Sequence, residues 1–253
     1  MAAPISPVAL VTGASRGIGR AIAQKLAARG VRVAVHCHAN RAAAEETLAA
    51  LAGSGHAIFS ADLSDPAECA ALIAAVVEKF GQLDVLVNNA GIYEEHDIRK
   101  VSYPDWQLHW QRTLAANLHG PANLTYLAVQ QMLSAHRGRI VNITSRGAFR
   151  GEPTAPAYAA AKAGLNILGQ SMALRLAPEN IQVYTIAPGW VDTDMAQDSL
   201  AGPNRAAVLA QHPLGRVAAP EEVADTAAWL ALDAPVAMTG AILDLNGASY
   251  LRT

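Results

Sequence analysis

The chain has 253 residues, of which 52% are hydrophobic and 16% charged, and its formal net charge is -2. This balance excludes a disordered chain and predicts one domain over residues 1–253 with a large buried core. The small net charge gives no reason to expect nucleic acid or an anionic membrane as a partner. The sequence has no apolar run approaching ~18 residues and no cationic start followed by an apolar segment, so we expect neither a membrane span nor a signal peptide.

The two cysteines, Cys37 and Cys69, are too few for a disulfide framework and lack the C-x-x-C spacing of metal or redox sites. This usage fits a reducing compartment, and we expect a cytoplasmic protein. His36 and His38 alternate along a predicted strand, but two imidazoles without a third ligand make a weak metal site. We therefore predict no bound metal.

Short β-branched or apolar runs alternate along the chain with Ala-rich segments of helical spacing. The predicted strands are 8–12, 31–36, 57–61, 85–88, 139–144, 182–187 and 241–245. The predicted helices are 17–29, 41–51, 66–80, 103–116, 121–135, 156–177, 204–211 and 220–232. This alternation predicts an α/β fold, a doubly wound parallel sheet of about seven strands flanked by helices. The stretch 188–215 contains Pro and Gly after the sixth strand, and we expect it to form a substrate loop.

The first strand leads directly into a Gly-rich turn, which opens a helix with apolar periodicity. Glycines let such a turn bring backbone amides close to a pyrophosphate, whose charge the helix N-terminus stabilises. An ordinary Gly-rich turn is the alternative, but the order of strand, turn and helix favours dinucleotide binding. The predicted contacts in this turn are Gly13, Ser15, Arg16, Gly17, Ile18 and Gly19.

The spacing G-x-x-x-G-x-G in this turn resembles that of the short-chain dehydrogenase/reductase family. Further motifs follow in the family's order over nearly the whole chain: Asn88-Asn89-Ala90-Gly91, Ser145, Tyr158-x-x-x-Lys162, and Pro188-Gly189 with Thr193. The resemblance implies a single-domain Rossmann fold. It also implies an oxidoreductase that transfers a hydride between a nicotinamide and a carbonyl or alcohol.

The choice of cofactor depends on charge near the end of the second strand. An NAD site usually has a carboxylate there, about 20 residues past the glycines, to accept from the ribose 2′-OH. No acidic residue lies between Gly19 and Glu45 in this chain. Because nothing acidic would repel a 2′-phosphate and two arginines could pair with it, we predict a preference for NADP(H). Solvated surface charge is the alternative role of the arginines. The predicted contacts are Arg16, His38, Asn40 and Arg41.

Three further segments are cofactor contacts by family resemblance. Asp62 and Leu63 resemble the family's adenine-contacting pair, although an N-cap role for Asp62 or Ser64 competes closely. The segment after the fourth strand resembles the element beside the cofactor, in which asparagine amides tie neighbouring strands. The segment after the sixth strand resembles the one that folds over the nicotinamide. The residues implied in these two segments are Asn89, Ala90, Gly91, Pro188, Gly189, Val191 and Thr193.

Hydride transfer to a carbonyl requires a proton donor, which Tyr158 supplies in this interpretation. Lys162 lies four residues later and so on the same helical face, where its ammonium is expected to stabilise the phenolate and lower the pKa of Tyr158. The alternatives are a tyrosine packed in a helix interface and a lysine that extends to solvent.

The resemblance assigns two further catalytic roles. Ser145 corresponds to the serine that donates to the substrate oxygen, with a plain turn serine as the alternative. Asn117 corresponds to the asparagine whose backbone carbonyl holds a water in a proton relay to Lys162 and Tyr158. Asparagine inside a helix weakens it, so a local bend is expected there.

Motifs across 188–247 most resemble those of 3-oxoacyl-acyl-carrier-protein reductases, which implies a small carbonyl or alcohol substrate and, within that class, an acyl thioester. Such reductases carry basic residues to meet their acidic carrier, whereas His136 and Glu179 stand at these places here. Arg146 and Arg150, beside Ser145, either bind an acidic substrate or point to solvent. A general ketone or sugar reductase and a non-catalytic NADP-binding regulator remain alternatives. The resemblance also implies a homotetramer.

Overall fold

A computed structural model of the protein describes residues 6–194, 196, 202 and 205–252. Its strands are β1 (Val8–Val11), β2 (Arg32–Cys37), β3 (Ala57–Ser60), β4 (Val85–Asn88), β5 (Gly138–Ile143), β6 (Ile181–Pro188) and β7 (Ile242–Leu245). The α-helices are α1 (Gly17–Ala28), α2 (Arg41–Ala49), α3 (Pro66–Phe80), α4 (Tyr103–Leu114), α5 (Gly120–Ala135), α6 (Gly147–Arg150), α7 (Pro156–Leu176), α8 (Arg205–Leu209) and α9 (Pro220–Leu232).

The seven strands form one parallel sheet in the order β3-β2-β1-β4-β5-β6-β7, which confirms the predicted fold class. The chain first builds outward from β1 to β3 and then returns to place β4 on the other side of β1. The strand order reverses between β1 and β4. The chain that leaves β1 therefore runs toward one edge of the sheet, and the chain that leaves β4 runs toward the other. A crevice opens there, and ligands bind at such a position in doubly wound sheets.

Both faces of the sheet are buried because each strand contributes alternate side chains to two separate cores. In β1, Ala9 and Val11 belong to the core that also contains residues of α1 and α9. Val8 and Leu10 belong to the opposite core, with residues of α3 and α5. All four are fully buried, which explains why the strands read in the sequence as uninterrupted apolar runs.

Two elements differ from the sequence prediction. The predicted helix 103–116 ends as α4 at Leu114 and continues as a π-helical segment, Ala115–His119, which contains Asn117. The short helix α6 was not predicted and follows Ser145 directly through Arg146. Predicted helix 204–211 is described only from Arg205, and residues 195, 197–201, 203 and 204 of the predicted loop 188–215 lie outside the described residues. None of the described helices combines the length and apolar character needed to cross a bilayer.

Candidate active site

A cavity of about 900 Å³ opens at the carboxyl ends of the strands. It brings together all predicted site residues except Arg41 and Asn117. Those that line it are Gly13, Ser15, Arg16, Gly17, Ile18, Gly19, His38, Asn40, Asp62, Leu63, Asn89, Ala90, Gly91, Ser145, Tyr158, Lys162, Pro188, Gly189, Val191 and Thr193. Residues separated by up to 180 positions in the chain therefore share one site.

The Gly-rich turn requires glycine for two different reasons. Gly13 and Gly17 have φ angles of 62° and 54°, in the left-handed region that side chains rarely adopt. Gly19 instead needs the space, because a Cβ there would overlap the carbonyl oxygen of Gly13 and lie 2.6 Å from Nδ2 of Asn89. The turn is thus packed too tightly for a side chain at Gly19, and it lines the cavity at the start of α1, where a helix N-terminus can face an anion.

Asn89 holds this turn against the end of β4. Its Nδ2 donates to the carbonyl of Thr12 at 2.8 Å, while the Thr12 hydroxyl accepts from the backbone amides of Asn89 at 2.9 Å and Ala90 at 3.0 Å. Its neighbour Asn88 donates to Oδ1 of Asn142 at 2.9 Å, across the β4–β5 pair. The asparagine amides tie neighbouring strands, as the resemblance implied.

His36 supports the turn from the second strand, a role that the sequence analysis missed. The amide of Gly13 donates to Nδ1 of His36 at 3.0 Å, and Nε2 contacts the carbonyl of Ala61 at 3.0 Å. Both contacts are satisfied by a neutral ring with its proton on Nε2, and burial lowers the pKa of His36 in the same sense. His36 and its two partners lie in three segments of the chain that are far apart in the sequence, so no local pattern signals these contacts.

The two arginines predicted to meet a 2′-phosphate differ in position. Arg16 is exposed at the edge of the cavity, and its guanidinium forms no hydrogen bond or ion pair with any residue in the described part of the chain. Arg41 lies outside the lining and donates to Glu45 at 3.1 Å, one helical turn further on. The structure therefore does not place Arg41 in the site, because its pairing along α2 directs it away. Asn40 lines the cavity and also caps α2 through Ala43.

Asp62 lines the cavity beside His38, whose Nε2 lies 3.8 Å from its carboxylate. Its Oδ1 accepts from the Ser64 amide at 2.9 Å and hydroxyl at 2.7 Å, and these hydrogen bonds lower the pKa of Asp62. The N-cap of α3 is Asp65, which excludes the capping alternative for Asp62 and Ser64. Asp62 instead shapes the turn between β3 and α3.

Ser145, Tyr158 and Lys162 lie together at the other end of the cavity. Ser145 follows β5, and its Oγ accepts from the amide of Gly147 at 3.0 Å. Tyr158 and Lys162 lie one turn apart on α7, with Nζ of Lys162 5.7 Å from the centroid of the Tyr158 ring. Nζ donates to the carbonyl of Ile143 at 2.9 Å, so the ammonium is held beside the phenol rather than in solvent. This excludes the solvent-extended alternative for Lys162.

Burial shifts the pKa values of Tyr158 and Lys162. Helical spacing predicted a lowered pKa for Tyr158, but the shift is in the opposite direction. Burial raises the pKa of Tyr158 to about 12, although hydrogen bonding to Ser145 lowers it in part. Burial lowers the pKa of Lys162 to about 8. Loss of hydration is the largest cause of both shifts, because burial disfavours the charged form of each group. The phenol keeps its proton at neutral pH and is suited to donate it.

Asn117 lies in the π-helical segment and fastens the chain that leaves β4. Its Oδ1 accepts from the amide of Ile92 at 2.8 Å, and its Nδ2 donates to the carbonyl of Ile92 at 2.8 Å. A Cβ on Gly91 would lie 3.1 Å from Oδ1 of Asn117 and 3.4 Å from Nζ of Lys162. Gly91 thus lets Asn117 and Lys162 approach each other, and the predicted bend takes the form of a π turn.

The segment after β6 covers the Gly-rich turn. Gly189 packs against Asn246, and Val191 forms a bridge to Ala218. The methyl group of Thr193 lies 3.3 Å from the position of a Cβ on Gly17, so this segment reaches across the cavity. Trp190 both lines the cavity and packs against the small apolar cluster of Ala196 and Val208.

Arg146 and Arg150 were expected either to bind an acidic substrate or to point to solvent. Arg146 is 3% exposed and donates to Oγ of Ser249 at 2.6 Å and to Oε1 of Gln211 at 2.9 Å. Arg150 is exposed and donates to the same Gln211 oxygen at 3.0 Å. Both guanidinium groups therefore connect Gln211, near the end of the predicted loop 188–215, to the segment that carries Ser145.

Comparison with known proteins identifies the family. A family model described as enoyl-(acyl carrier protein) reductase matches residues 13–247. This chain belongs to the short-chain dehydrogenase/reductase family. It is 36% identical to the 3-oxoacyl-[acyl-carrier-protein] reductase FabG of Escherichia coli strain K12 over 244 residues, 96% of this chain and 97% of that protein. The protein of the same name from Staphylococcus aureus strain Mu50 is 38% identical over 245 residues, 96% of this chain and 98% of its own.

The Vibrio cholerae serotype O1 relative of that name is 36% identical over 244 residues, again covering 96% of this chain and 97% of its own. The matches cover 97–98% of the length of these three relatives, so the resemblance is not confined to a cofactor-binding segment. The protein is an oxidoreductase that acts on carbonyl or hydroxyl groups.

Proposed function

We propose that the protein is an NADP(H)-dependent reductase that converts a carbonyl to an alcohol, with a 3-oxoacyl thioester as its first candidate substrate. The main observation behind this proposal is one cavity that joins the Gly-rich turn and the exposed Arg16 to Ser145, Tyr158 and Lys162. The Gly-rich turn fits a dinucleotide pyrophosphate, because it brings the backbone close to the start of α1 without side chains in between. A Cβ on Gly19 would prevent this packing, since it would overlap the carbonyl of Gly13. When bound, the nicotinamide supplies or accepts the hydride.

The protein's own residues handle the substrate oxygen and the proton. Ser145 orients the carbonyl by donating to its oxygen, and Tyr158 donates the proton that the oxygen needs as charge develops on it. Lys162 lies between Tyr158 and the region of Asn117, where it can return a proton to the phenol. Its lowered pKa of about 8 makes that release easy near neutrality.

Activity tests this function directly. NADPH consumption should be measured with a 3-oxoacyl thioester, an activated ketone and a quinone. Tyr158→Phe should lower turnover by at least about a hundredfold, the usual contribution of a general acid, while NADPH still binds, as followed by its fluorescence. NADPH binding without turnover on any substrate would favour the non-catalytic regulator. Near-wild-type turnover by Tyr158→Phe would refute the assigned proton donor.

The preference for NADP(H) rests on Arg16. Its guanidinium is free to pair with a 2′-phosphate, and the residues at the end of β2 that line the cavity carry no carboxylate. Arg16→Gln should lower kcat/KM for NADPH at least tenfold and leave that for NADH nearly unchanged. Arg41→Gln is the matched control, since Arg41 pairs with Glu45 and should affect neither value strongly. Equal loss with both cofactors, or better rates of the wild type with NADH, would contradict the preference.

A general ketone reductase is the second candidate, favoured by the charges where a carrier protein would dock. Arg137, the basic residue beside His136, is paired with Asp84 at 3.0 Å. Glu179 occupies the other position where a basic residue was expected, and its carboxylate lies 3.9 Å from Arg175. A rate with the carrier-bound thioester no higher than with the free pantetheine thioester would favour this candidate.

The proposed assembly is a homotetramer built on α5 and α7. Tyr126, Ile167 and Leu174 expose large apolar side chains on these two helices, with 66%, 62% and 84% of their surface accessible. Light scattering should give four times the chain mass of 26.4 kDa, and a single-chain mass would refute it. The buried free thiols of Cys37 and Cys69 fit the cytoplasm as the proposed compartment.

A further inference from the structure

Glu152 is a carboxyl group at the substrate end of the cavity that no part of the proposed chemistry uses. It lies between Ser145 and Tyr158 in the chain and lines the same cavity as both. The motifs that identify the family do not include this position. An ionisable group beside the reacting atoms, without an assigned role, is a candidate for substrate selection.

The carboxyl lies close to the catalytic serine. The side chain of Glu152 folds over Gly147, so that a Cβ on Gly147 would lie 2.6 Å from Oε1 and 2.9 Å from Cγ. The amide of Gly147 in turn donates to Oγ of Ser145 at 3.0 Å. One glycine therefore separates the Glu152 carboxyl from the hydroxyl that orients the substrate carbonyl.

This carboxyl has no partner of its own. Across residues 6–194, 196, 202 and 205–252, its oxygens form no hydrogen bond and no ion pair. Arg146 and Arg150 are near enough to lower its pKa in part, but they donate to Gln211 and Ser249 instead. Burial has the larger effect and raises the pKa of Glu152. Its oxygens are therefore available to accept a hydrogen bond from a molecule bound in the cavity.

We propose that Glu152 determines specificity by accepting a hydrogen bond from a hydroxyl group on a carbon near the reacting carbonyl. This deepens the proposed function and rests on it. An ionised carboxyl can only accept, so the matching substrate group is a donor. Among small neutral ketones, those that carry such a hydroxyl group are therefore preferred over those that lack a donor.

Matched pairs of small ketones test this selection. The wild type should be assayed with 1-hydroxybutan-2-one and 4-hydroxybutan-2-one, each against its O-methyl ether, which keeps the inductive effect and removes the donor. The measured quantity is the ratio of kcat/KM for the hydroxy compound to that for its ether. A hydrogen bond to a charged group predicts a ratio of roughly tenfold to a hundredfold for the better pair.

Three variants separate this role from a general structural one. Glu152→Leu should bring the ratio close to one, and Glu152→Gln should keep part of it, since the amide oxygen still accepts. Gly147→Ala should also lower the ratio, because the added methyl displaces the carboxyl while Glu152 itself remains. Glu95→Gln is the control: this nearby carboxylate accepts from the Thr154 hydroxyl at 2.9 Å and lies outside the lining.

The outcomes distinguish this inference from the function beneath it. A wild-type ratio near one, or a ratio that Glu152→Leu leaves intact, overturns the role of Glu152 while the reductase activity stands. An equal loss of the ratio in Glu95→Gln also overturns it. The preference for the hydroxy compound would then depend on negative charge near the cavity and not on a hydrogen bond to Glu152. No turnover of any ketone or thioester by the wild type overturns the proposed function and this inference together.

Discussion

Removal of the buried ammonium of Lys162 should make the protein more stable at neutral pH even though it abolishes the proposed proton relay. Lys162 is 4% exposed, and burial lowers its pKa from 10.5 to about 8. At 1.36 kcal/mol for each tenfold change in proton affinity, holding this lysine charged in the folded protein costs about 3 kcal/mol. Lys162→Met removes that cost but leaves the Ile143 carbonyl without its donor, a loss of about 1 kcal/mol.

The expected net gain at pH 7 is therefore about 2 kcal/mol, and it should disappear as the pH rises. Between pH 8 and 10.5 the unfolded chain still binds a proton that the folded wild type has released. The stability of the wild type thus rises with pH across this window, whereas that of Lys162→Met gains nothing from this group. Near pH 10 the two proteins should be about equally stable.

Urea unfolding at pH 7, 8, 9 and 10, followed by tryptophan fluorescence, measures this difference. All samples need one protein concentration, because subunit association adds a concentration-dependent contribution. Lys79→Met is the matched control, since its exposed ammonium in α3 stays in water in both states. A difference between Lys162→Met and the wild type that is constant with pH would refute the reasoning, as would a less stable variant at pH 7.

Two further predictions concern glycine and left-handed backbone. Gly19→Ala should weaken NADPH binding at least tenfold with little change in far-ultraviolet circular dichroism. The new Cβ would meet the Gly13 backbone and Asn89 rather than a side chain that can move. Unchanged affinity in a fluorescence titration would contradict this packing argument. Ala248→Gly should stabilise the protein by about 0.5–1 kcal/mol, since φ at Ala248 is 60° and relief of that strain exceeds the added chain entropy; Ala71→Gly, in the exposed middle of α3, should instead destabilise it by about 1 kcal/mol in the same thermal melts.

The strands and their parallel arrangement could be predicted because a sheet buried on both faces demands continuous apolar runs. Val8–Val11 is such a run, and all four side chains are buried. Ligands bind beyond the carboxyl ends of the strands in such sheets, so the polar motifs that follow the strands were expected there. This brought Asn89 and Ser145 to one cavity. The fold follows from hydrophobicity and connectivity, whereas Asn89 and Ser145 were assigned to the site by their resemblance to the family's motifs.

Side-chain partners were harder to predict, for reasons that differ between residues. Arg41 was expected in the site, but Glu45 lies four residues later on the same helix, a spacing that itself signals an ion pair. His36 gave no such signal, because its partners Gly13 and Ala61 meet it only once three strands are assembled. Glu152 was missed because its proximity to Ser145 depends on the unpredicted helix α6.

The pKa values of Tyr158 and Lys162 bear on the direction of the proposed reaction. Helical spacing predicted that the pair would meet, but not that burial would dominate their charges. Nζ is held by Ile143, and desolvation raises the pKa of Tyr158 to about 12. Oxidation of an alcohol needs the phenolate as a base, whereas reduction of a carbonyl needs the phenol as an acid. At neutral pH the protein holds the acid, with Lys162 near its own pKa of about 8 ready to restore each proton delivered. Burial therefore keeps Tyr158 in its acid form, and a positive charge beside it would lower its pKa and stabilise the phenolate.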